Sequence, residues 1–499
     1  MYQRILRLAG QSVVYGLSPV ASKILALCFL PIIVKYLEPE QYGIAEAVLM
    51  VDLFTAALFR LGLQNAMMRF SHDAPKHQRD DVVVRVVRTT LALTLLSMLV
   101  GVLLLVTFDR QLADFFLGTP ERYRFIWLAA FGMWTSVIYS TITATFRIQQ
   151  RARAYFGVSM SNVLLSTFLT LFFITELGWG VEGLLLGNFL GYLGLIPVAA
   201  LMQRRLMVPV IDRELVRPML RFAVPTIPIA IAYQGLTLID RTIIQRVEGL
   251  EALGVYGVAA RFSGVVLLVV TALQLSWQPF AYSIKDDGEA RRAYALVTTW
   301  FAAVMGWLVS GLALLADPVV RGMTPPKYYE ATLITPLLAL SAGIYGAYFL
   351  VGIGASRVKR TGWHAAVAFC AVAVSLAANL ALVPVFGVMG AAAAAVLANC
   401  TLVGCMLFRA QRVFHVDYEL RRIARPVLLT AAALAAAYTL PTGTGWEAWS
   451  LRLAVALGWP LALLATGFVN QEERVRIVRL LRRRRAPEPD QADTPVGPA

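Results

Sequence analysis

Charge is scarce in this sequence: aspartate, glutamate, lysine and arginine make up 15% of its 499 residues, and 58% are hydrophobic. A soluble chain of that length needs far more polar surface to cover its cores, which excludes a water-soluble protein. Cysteine and histidine are scarcer still. Cys28, Cys370, Cys400 and Cys405 fall in apolar stretches without the CxxC or Cys/His spacing of a zinc or redox site, and read as small core residues. His72, His77, His364 and His415 lie in or beside polar loops, so no metal site is expected. There is no Ser/His/Asp set, no HExxH, no GxxxxGK[ST] and no GxGxxG after a strand. These absences argue against an enzyme, a resident cofactor and a self-contained ATP-driven pump. The period-two alternation of an outer-membrane barrel is missing as well.

What the chain has instead is apolar runs about twenty residues long, repeated from end to end, the length that crosses ~30 Å of hydrocarbon. Backbone groups in lipid must be satisfied within their own segment, so these runs predict an all-α polytopic membrane protein of about 14 transmembrane helices. They are placed near 10–34, 43–64, 83–107, 125–146, 156–175, 182–202, 222–245, 254–280, 294–316, 331–354, 363–383, 388–408, 427–440 and 451–469. Arg4 and Arg7 precede the first run and no small-residue cleavage site follows, which reads as an uncleaved first helix.

The net charge of +15 raises the question of nucleic acid, but topology accounts for it. With the N-terminus inside, the inner loops carry Arg69, Lys76, Arg79, Arg85 and Arg88, then Arg147, Arg151 and Arg153, then Arg204, Arg205, Arg213, Arg217 and Arg221. Further along come Lys285, Arg291 and Arg292, then Arg357, Lys359 and Arg360, and finally Arg409, Arg412, Arg421, Arg422 and Arg425. The outer loops hold far fewer cations: Lys35, Arg110, Arg122, Arg124, Arg246, Arg321, Lys327 and Arg452. This bias predicts a multi-pass protein of the cell inner (cytoplasmic) membrane, both termini cytoplasmic. The tail from Gln471, with Arg482–Arg485 and then a Pro/Ala/Asp-rich stretch, is expected to touch anionic membrane lipids and run into disorder.

An internal repeat divides the chain. Ile32-Ile33-Val34-Lys35 with Glu40, Gly43 and Ile44 matches Ile243-Ile244-Gln245-Arg246 with Glu251, Gly254 and Val255, the two glycines standing 211 residues apart. Gly180-Val181-Glu182-Gly183 matches Gly387-Val388-Met389-Gly390 at an offset of 207. The expected organisation is an N-lobe over 1–208, a C-lobe over 209–412, two added helices over 413–470 and a tail over 471–499. Six helices per lobe keep the lobes in one orientation, related by a pseudo-two-fold axis along the membrane normal, with a cavity between them.

Cations remaining at membrane depth mark candidate site residues, because a charge at the bilayer centre costs at least ~2.5–3.5 kcal/mol. These are Lys23, Arg60, Arg241 and Arg261, on the first two helices of each lobe. They suit an anionic headgroup such as a pyrophosphate, to whose oxygens the arginine fork donates. Competing readings are that Arg60 snorkels to the interface, that Asp240 and Arg261 neutralise each other, and that Arg241 anchors at the headgroups. Glu46 and Glu182 are placed nearer the outer face, and Asp52 and Asp240 at membrane depth as ion-coupling candidates. Gln64, Asn65, Asn162, Gln234, Gln274 and Gln278 support a wet interior, although such residues also join helices in lipid. Paired helix breaks at Pro19 and Pro31 and at Pro225 and Pro228 point to cavity-lining segments.

Four stretches resemble the polysaccharide and O-antigen (Wzx-like) flippases of the multidrug/oligosaccharidyl-lipid/polysaccharide exporter superfamily. They are Tyr36-Leu37-Glu38-Pro39-Glu40-Gln41-Tyr42-Gly43; Leu61-Gly62-Leu63-Gln64-Asn65-Ala66 with Arg69-Phe70; Phe146-Arg147 with Gln150-Arg151-Ala152-Arg153; and Asp240-Arg241 followed by Leu253-Gly254-Val255-Tyr256 and Ala259-Ala260-Arg261. The resemblance spans most of Met1 to Arg409. It implies a two-lobe alternating-access bundle that moves an undecaprenyl-diphosphate-linked oligosaccharide from the cytoplasmic to the periplasmic face. By the same likeness Lys23, Arg60 and Arg261 are the candidates for the pyrophosphate, and a polysaccharide polymerase and a chain-length regulator are candidate partners. A drug/cation exporter of the same fold would want a carboxylate-rich cavity, and a glycan polymerase or ligase a long outer loop. The longest here is near 108–124.

Overall fold

The computed structural model describes residues 20–73, 79–358, 362–470 and 473, all helical or loop with no strand among them. The expected start of the first helix, Pro19 and most of the tail lie outside these residues. Helix α1 covers 20–36. It is followed by α2 (Pro39–Phe59), α3 (Leu63–His72), α4 (Arg79–Thr107), α5 (Asp109–Leu117), α6 (Tyr123–Ile148), α7 (Ala152–Thr175) and α8 (Gly180–Leu201). Next come α9 (Arg213–Ala223), α10 (Ile227–Val247), α11 (Gly249–Ser283), α12 (Asp287–Met323), α13 (Ala331–Val351) and α14 (Ile353–Arg357), then α15 (Trp363–Val413), α16 (Leu420–Thr439) and α17 (Trp446–Ala465).

Among the described residues, eleven helical segments are long and apolar enough to cross a membrane. One of them, α15, is 51 residues long and makes two passes. Gly387 holds φ 56° and ψ −139°, a conformation open to glycine alone, and turns the chain back on itself. The arms then run antiparallel, which brings Cys370 Sγ within 4.0 Å of Cys405 Sγ. Cys28, Cys370 and Cys400 are exposed and Cys405 is half-buried. The expectation that they are core residues is thereby corrected: thiols are apolar enough to face lipid as readily as protein.

Local chemistry sets the helix starts. Glu38 and Gln41 form a reciprocal capping box around Pro39, which opens α2. The Asp212 carboxylate accepts from the Glu214 N–H and caps α9, and Asp286 does the same for α12 from Glu289 N–H. Short α3, α5 and α9 were not expected from the sequence, which read their residues as loops.

Turns assigned to the outer side gather at one end of the bundle. There Lys327 Nζ meets Glu38 (2.9 Å), Arg122 meets Glu40 (2.6 Å), and Arg246 donates to the Phe115 carbonyl. We call this the Glu38 end. At the other, the Arg85 end, Arg85 bridges Asp212 and Glu214, and Arg357 bonds Asp287 (2.8 Å) and the Ile284 and Lys285 carbonyls. The largest buried apolar cluster sits at the Glu38 end and joins Leu37, Tyr42 and Val48 to Ile244, Leu253 and Tyr328. A smaller one at the Arg85 end joins Leu63, Met67 and Val87 to Met219 and Ala223. Bulky side chains such as Leu103, Phe168, Leu380 and Leu461 are left exposed on the outside, as a bundle in hydrocarbon requires.

Helices α16 and α17 pack on α12. Arg452, expected in an outer loop, is instead fully buried in α17. Its guanidinium donates to the carbonyls of Leu314 (2.8 Å), Pro441 (3.1 Å), Leu440 (3.1 Å) and Ala437 (3.2 Å). Carbonyls left over at the C-terminus of α16, with the Leu314 carbonyl that Pro318 cannot bond, stand in for a counter-ion.

Candidate functional site

Between α1–α3 on one side and α10, α11, α13 and α15 on the other lie two adjoining cavities. The larger, about 590 Å³, is lined by Lys23 of α1, by Gln234, Asp240 and Arg241 of α10, and by Tyr256 of α11, among others. The smaller, about 380 Å³, is lined by Arg60, Gln64 and Asn65 where α2 gives way to α3, and by Thr226 at the α9–α10 junction. Tyr233 and Gln234 belong to both walls.

The helix breaks shape the smaller cavity. Leu61 (φ 51°) and Gly62 (φ 65°) both take left-handed conformations, which ends α2 and redirects the chain as α3. Gly62 lies against the opposing break. A Cβ there would come 2.3 Å from Thr226 Oγ1 and 2.7 Å from the Ala223 carbonyl, so this approach at the Arg85 end admits glycine alone. At the Glu38 end the contact is tighter. A Cβ on Gly43 would stand 1.8 Å from the Leu250 carbonyl, and one on Gly254 would stand 1.9 Å from the Pro39 carbonyl. The contact is reciprocal: each glycine meets the carbonyl four residues before the other. Helices from the two sides of the cavities are therefore in close contact through a glycine at each end.

Charge is distributed unevenly around the cavities. The side chains of Lys23 and Arg60 make no ion pair or hydrogen bond with any described residue, and the Arg60 Nε is buried without an acceptor. Buried Glu46 takes up the other two cations: its Oε2 lies 3.5 Å from Arg241 Nη2 and its Oε1 lies 3.2 Å from Arg261 Nη2. One carboxylate against two guanidiniums leaves a formal surplus of one positive charge there. This corrects two sequence readings. Arg241 is no headgroup anchor, and Arg261 is neutralised by Glu46 rather than by Asp240. The Asp240 carboxylate instead accepts from Asn379 Nδ2 (2.8 Å) and Ser375 Oγ (3.3 Å) on α15.

The remaining candidates scatter. Gln64 lines the smaller cavity and donates to Ser140 Oγ (2.9 Å) on α6. Asp52 faces α6, accepting from Ser136 Oγ at 3.4 Å, and is not among the residues lining either cavity. Asn162 and Gln274 are not among them either; Asn162 is buried in α7 with its Oδ1 unpartnered. Arg261 reaches the site through Glu46 rather than through a cavity wall. Sequence reasoning did not pair Glu46 with Arg241 and Arg261 and did not consider Tyr233, Ser375 or Asn379. The 211-residue offset held a signal for Glu46, because it sets that carboxylate opposite Gly257, where space is left for it.

A family model described as "Polysaccharide biosynthesis protein" matches residues 32–333. The chain belongs to that family. The match takes in α2 to α12 and thus every lining residue named above except Lys23. A curated relative, the succinoglycan biosynthesis transport protein ExoT of Rhizobium meliloti (strain 1021), is 26% identical over 326 residues. The match covers 63% of this chain and spans 62% of that relative's length.

Solved structures give the fold of this polysaccharide biosynthesis protein. The lipid II flippase MurJ in an inward closed conformation superposes with a TM-score of 0.70 over 91% of this chain and 99% of its own, at 14% identity. An inward-facing MATE family multidrug transporter gives 0.63 over 82% and 99%, also at 14% identity. An outward-facing MATE family transporter gives 0.56 over 85% and 96%, at 18% identity. The chain is a multi-pass membrane protein with the fold of these transporters, as the sequence resemblance implied.

Proposed function

We propose that the chain is a flippase that carries an undecaprenyl-diphosphate-linked oligosaccharide from the cytoplasmic to the periplasmic face of the inner membrane by alternating access. The single observation that carries this reading is the pair of cations, Lys23 and Arg60, facing adjoining cavities without a carboxylate in contact. Such groups are costly at membrane depth and are retained where an anionic ligand completes them. A diphosphate is the anion that fits, and the relative's role in succinoglycan transport supports a glycan attached to it.

In this reading the chain makes fourteen passes with both termini cytoplasmic, arranged as two six-helix lobes and a C-terminal pair. The reciprocal Gly43–Gly254 contact, at the offset of the sequence repeat, supports the two-fold relation. The Glu38 end is the periplasmic one. Lys23 and Arg60 bind the diphosphate entering from the cytoplasm. When the Glu38 end parts, α2 withdraws Glu46 from α10 and α11, and Arg241 and Arg261 become free to hold the diphosphate on its way out. The membrane potential drives the step, since outward movement of one negative charge from an inside-negative cell gains ~2.3 kcal/mol per 100 mV. A polymerase and a chain-length regulator would take over the exported unit.

The test replaces Lys23 and Arg60 by alanine, singly and together, and follows flipping of polyprenyl-diphosphate-linked glycan in proteoliposomes under an imposed potential. The double variant is expected to lose transport while retaining its thermal unfolding profile in detergent. Wild-type rates in the double variant would leave the cationic cavity without a function. Rates indifferent to the potential and to ion gradients would overturn the driving scheme alone.

A further inference from the structure

A chain of hydrogen bonds leads out of the cavities through an otherwise apolar part of the molecule. Tyr233, in the wall of both cavities, donates from its hydroxyl to that of Tyr348 at 2.6 Å. The Tyr348 hydroxyl is in turn hydrogen-bonded to His364 Nδ1, and His364 Nε2 stands 3.3 Å from Ser356 Oγ. The residues come from α10, α13, α14 and the first turn of α15, so three inter-helix contacts align to make the series. Around it pack Ala232, Val351, Ala355, Val367, Leu402 and Met406. Tyr348 itself is 2% exposed. Within this jacket the hydroxyls and the imidazole are the groups able to pass a proton. The series ends at the Arg85 end, where Arg357 is tied to the α11–α12 junction.

We infer that Tyr233, Tyr348 and His364 form a proton relay between the substrate cavity and the Arg85 face of the membrane. The inference deepens the flippase reading, and rests on it for the use made of the proton. The order of the groups allows movement from the cavity outwards. A proton taken up at Tyr233 Oη displaces the hydroxyl proton of Tyr233 to Tyr348 Oη. The hydroxyl proton of Tyr348 passes to His364 Nδ1, and the proton on Nε2 leaves towards Ser356 Oγ and the surface. Proton number is unchanged at every stage, and rotation of the two hydroxyls with a tautomer change of the ring resets the series. With the Arg85 face cytoplasmic, protons entering the cell down their gradient leave the cavity by this route while the glycan moves the other way.

The electrostatic setting leaves the imidazole free to do this. Among the described residues, no carboxylate or cation is in contact with His364. From α14, Arg357 turns away to Asp287. From the second arm of α15, Arg409 stacks on Trp363 at 4.0 Å. From α13, Tyr348 is the titratable neighbour, and from α10 Tyr233 lies beyond it. The carboxylate able to deliver a proton at the cavity end is Asp240, which lines the same wall.

The full chain reconstituted in vesicles, with a pH-sensitive dye inside, an imposed pH gradient and the potential clamped by potassium and valinomycin, tests the relay. Polyprenyl diphosphate lipid serves as the cargo probe. Tyr348→Phe keeps the ring and removes the relay hydroxyl; it is expected to reduce proton flux to that of protein-free vesicles, as is His364→Gln. Tyr282→Phe, an exposed tyrosine away from both cavities and from the series, is expected to leave the flux unchanged. Equal fluxes in wild type and Tyr348→Phe, equal losses in Tyr348→Phe and Tyr282→Phe, or no flux in the wild type would each overturn the relay. Lipid movement is scored separately under a potential at uniform pH. A wild type that moves no lipid there sinks the flippase reading, whereas the proton arm still decides the relay.

Discussion

Gly257 leaves the space in which the Glu46 side chain stands: a Cβ at that position would come within 2.5 Å of Glu46 Cγ and 3.0 Å of its Cδ. By the repeat the two positions correspond, one lobe supplying a carboxylate and the other the room for it. Glu46 can thus reach Arg241 and Arg261 together.

Glu46→Gln removes the charge and keeps the shape. Arg241 and Arg261 then confront one another with no anion between them. Removing one partner of a buried ion pair costs ~3–5 kcal/mol, and because the Arg261 side chain is 38% exposed the loss should fall at the low end of that range. Expected outcomes are a lower unfolding midpoint in detergent and a Glu38 end that opens more readily. The second is measured as faster labelling of a Thr237→Cys probe by a membrane-impermeant maleimide applied from that side. Unchanged labelling and an unchanged midpoint together would show that the clamp holds nothing shut.

Gly254→Ala places a methyl where the Pro39 carbonyl stands 1.9 Å away, and α2 and α11 must move apart to accept it. Overpacking of this kind costs ~1–3 kcal/mol. Transport should fall sharply even in protein that inserts and purifies normally, since the Glu38 end can no longer close. Gly311→Ala is the control, with nothing near its added methyl. Flipping assays on both variants separate closure from general damage.

Gly387→Ala meets open space, the nearest atoms being those of the Glu248 carboxylate at 3.5 Å, so its penalty is in the backbone. Forcing an L-residue into that conformation costs ~1–3 kcal/mol. The unfolding midpoint should drop, while Gly404→Ala, equally uncrowded but helical, should leave it level or raise it. Equal midpoints for the two would refute the turn's dependence on glycine.

The helices were legible because hydrocarbon imposes length and composition on each segment independently, and the gap between the expected runs 363–383 and 388–408 falls at the turn inside α15. Lys23, Arg60, Gln64, Asn65, Gln234, Asp240 and Arg241 were found by one argument, the cost of polarity in lipid, and they do line the cavities. That argument gives depth along a helix but not direction around it. Asn162 and Gln274 satisfied it equally well and point elsewhere. Pairing was illegible for a different reason: Glu46 and Arg261 are 215 residues apart, and hydropathy holds no trace of which helices touch. Tyrosines conceal relays too, because in a membrane sequence they read as aromatic bulk. Short α3, α5 and α9 escaped notice because their amphipathic faces look like charged loops once the apolar runs have been assigned.

Arg452 fixes which parts of the molecule can slide. Its guanidinium is shared among carbonyls of α12, the α16 terminus and the link into α17, so prising these apart would strand a cation in a greasy interior. The last two helices are therefore luggage strapped to α12, and they go wherever it goes. Sliding between moving bodies would fall instead at the α2–α11 contact, where the Glu46 pairs and the apolar cluster are what must come apart.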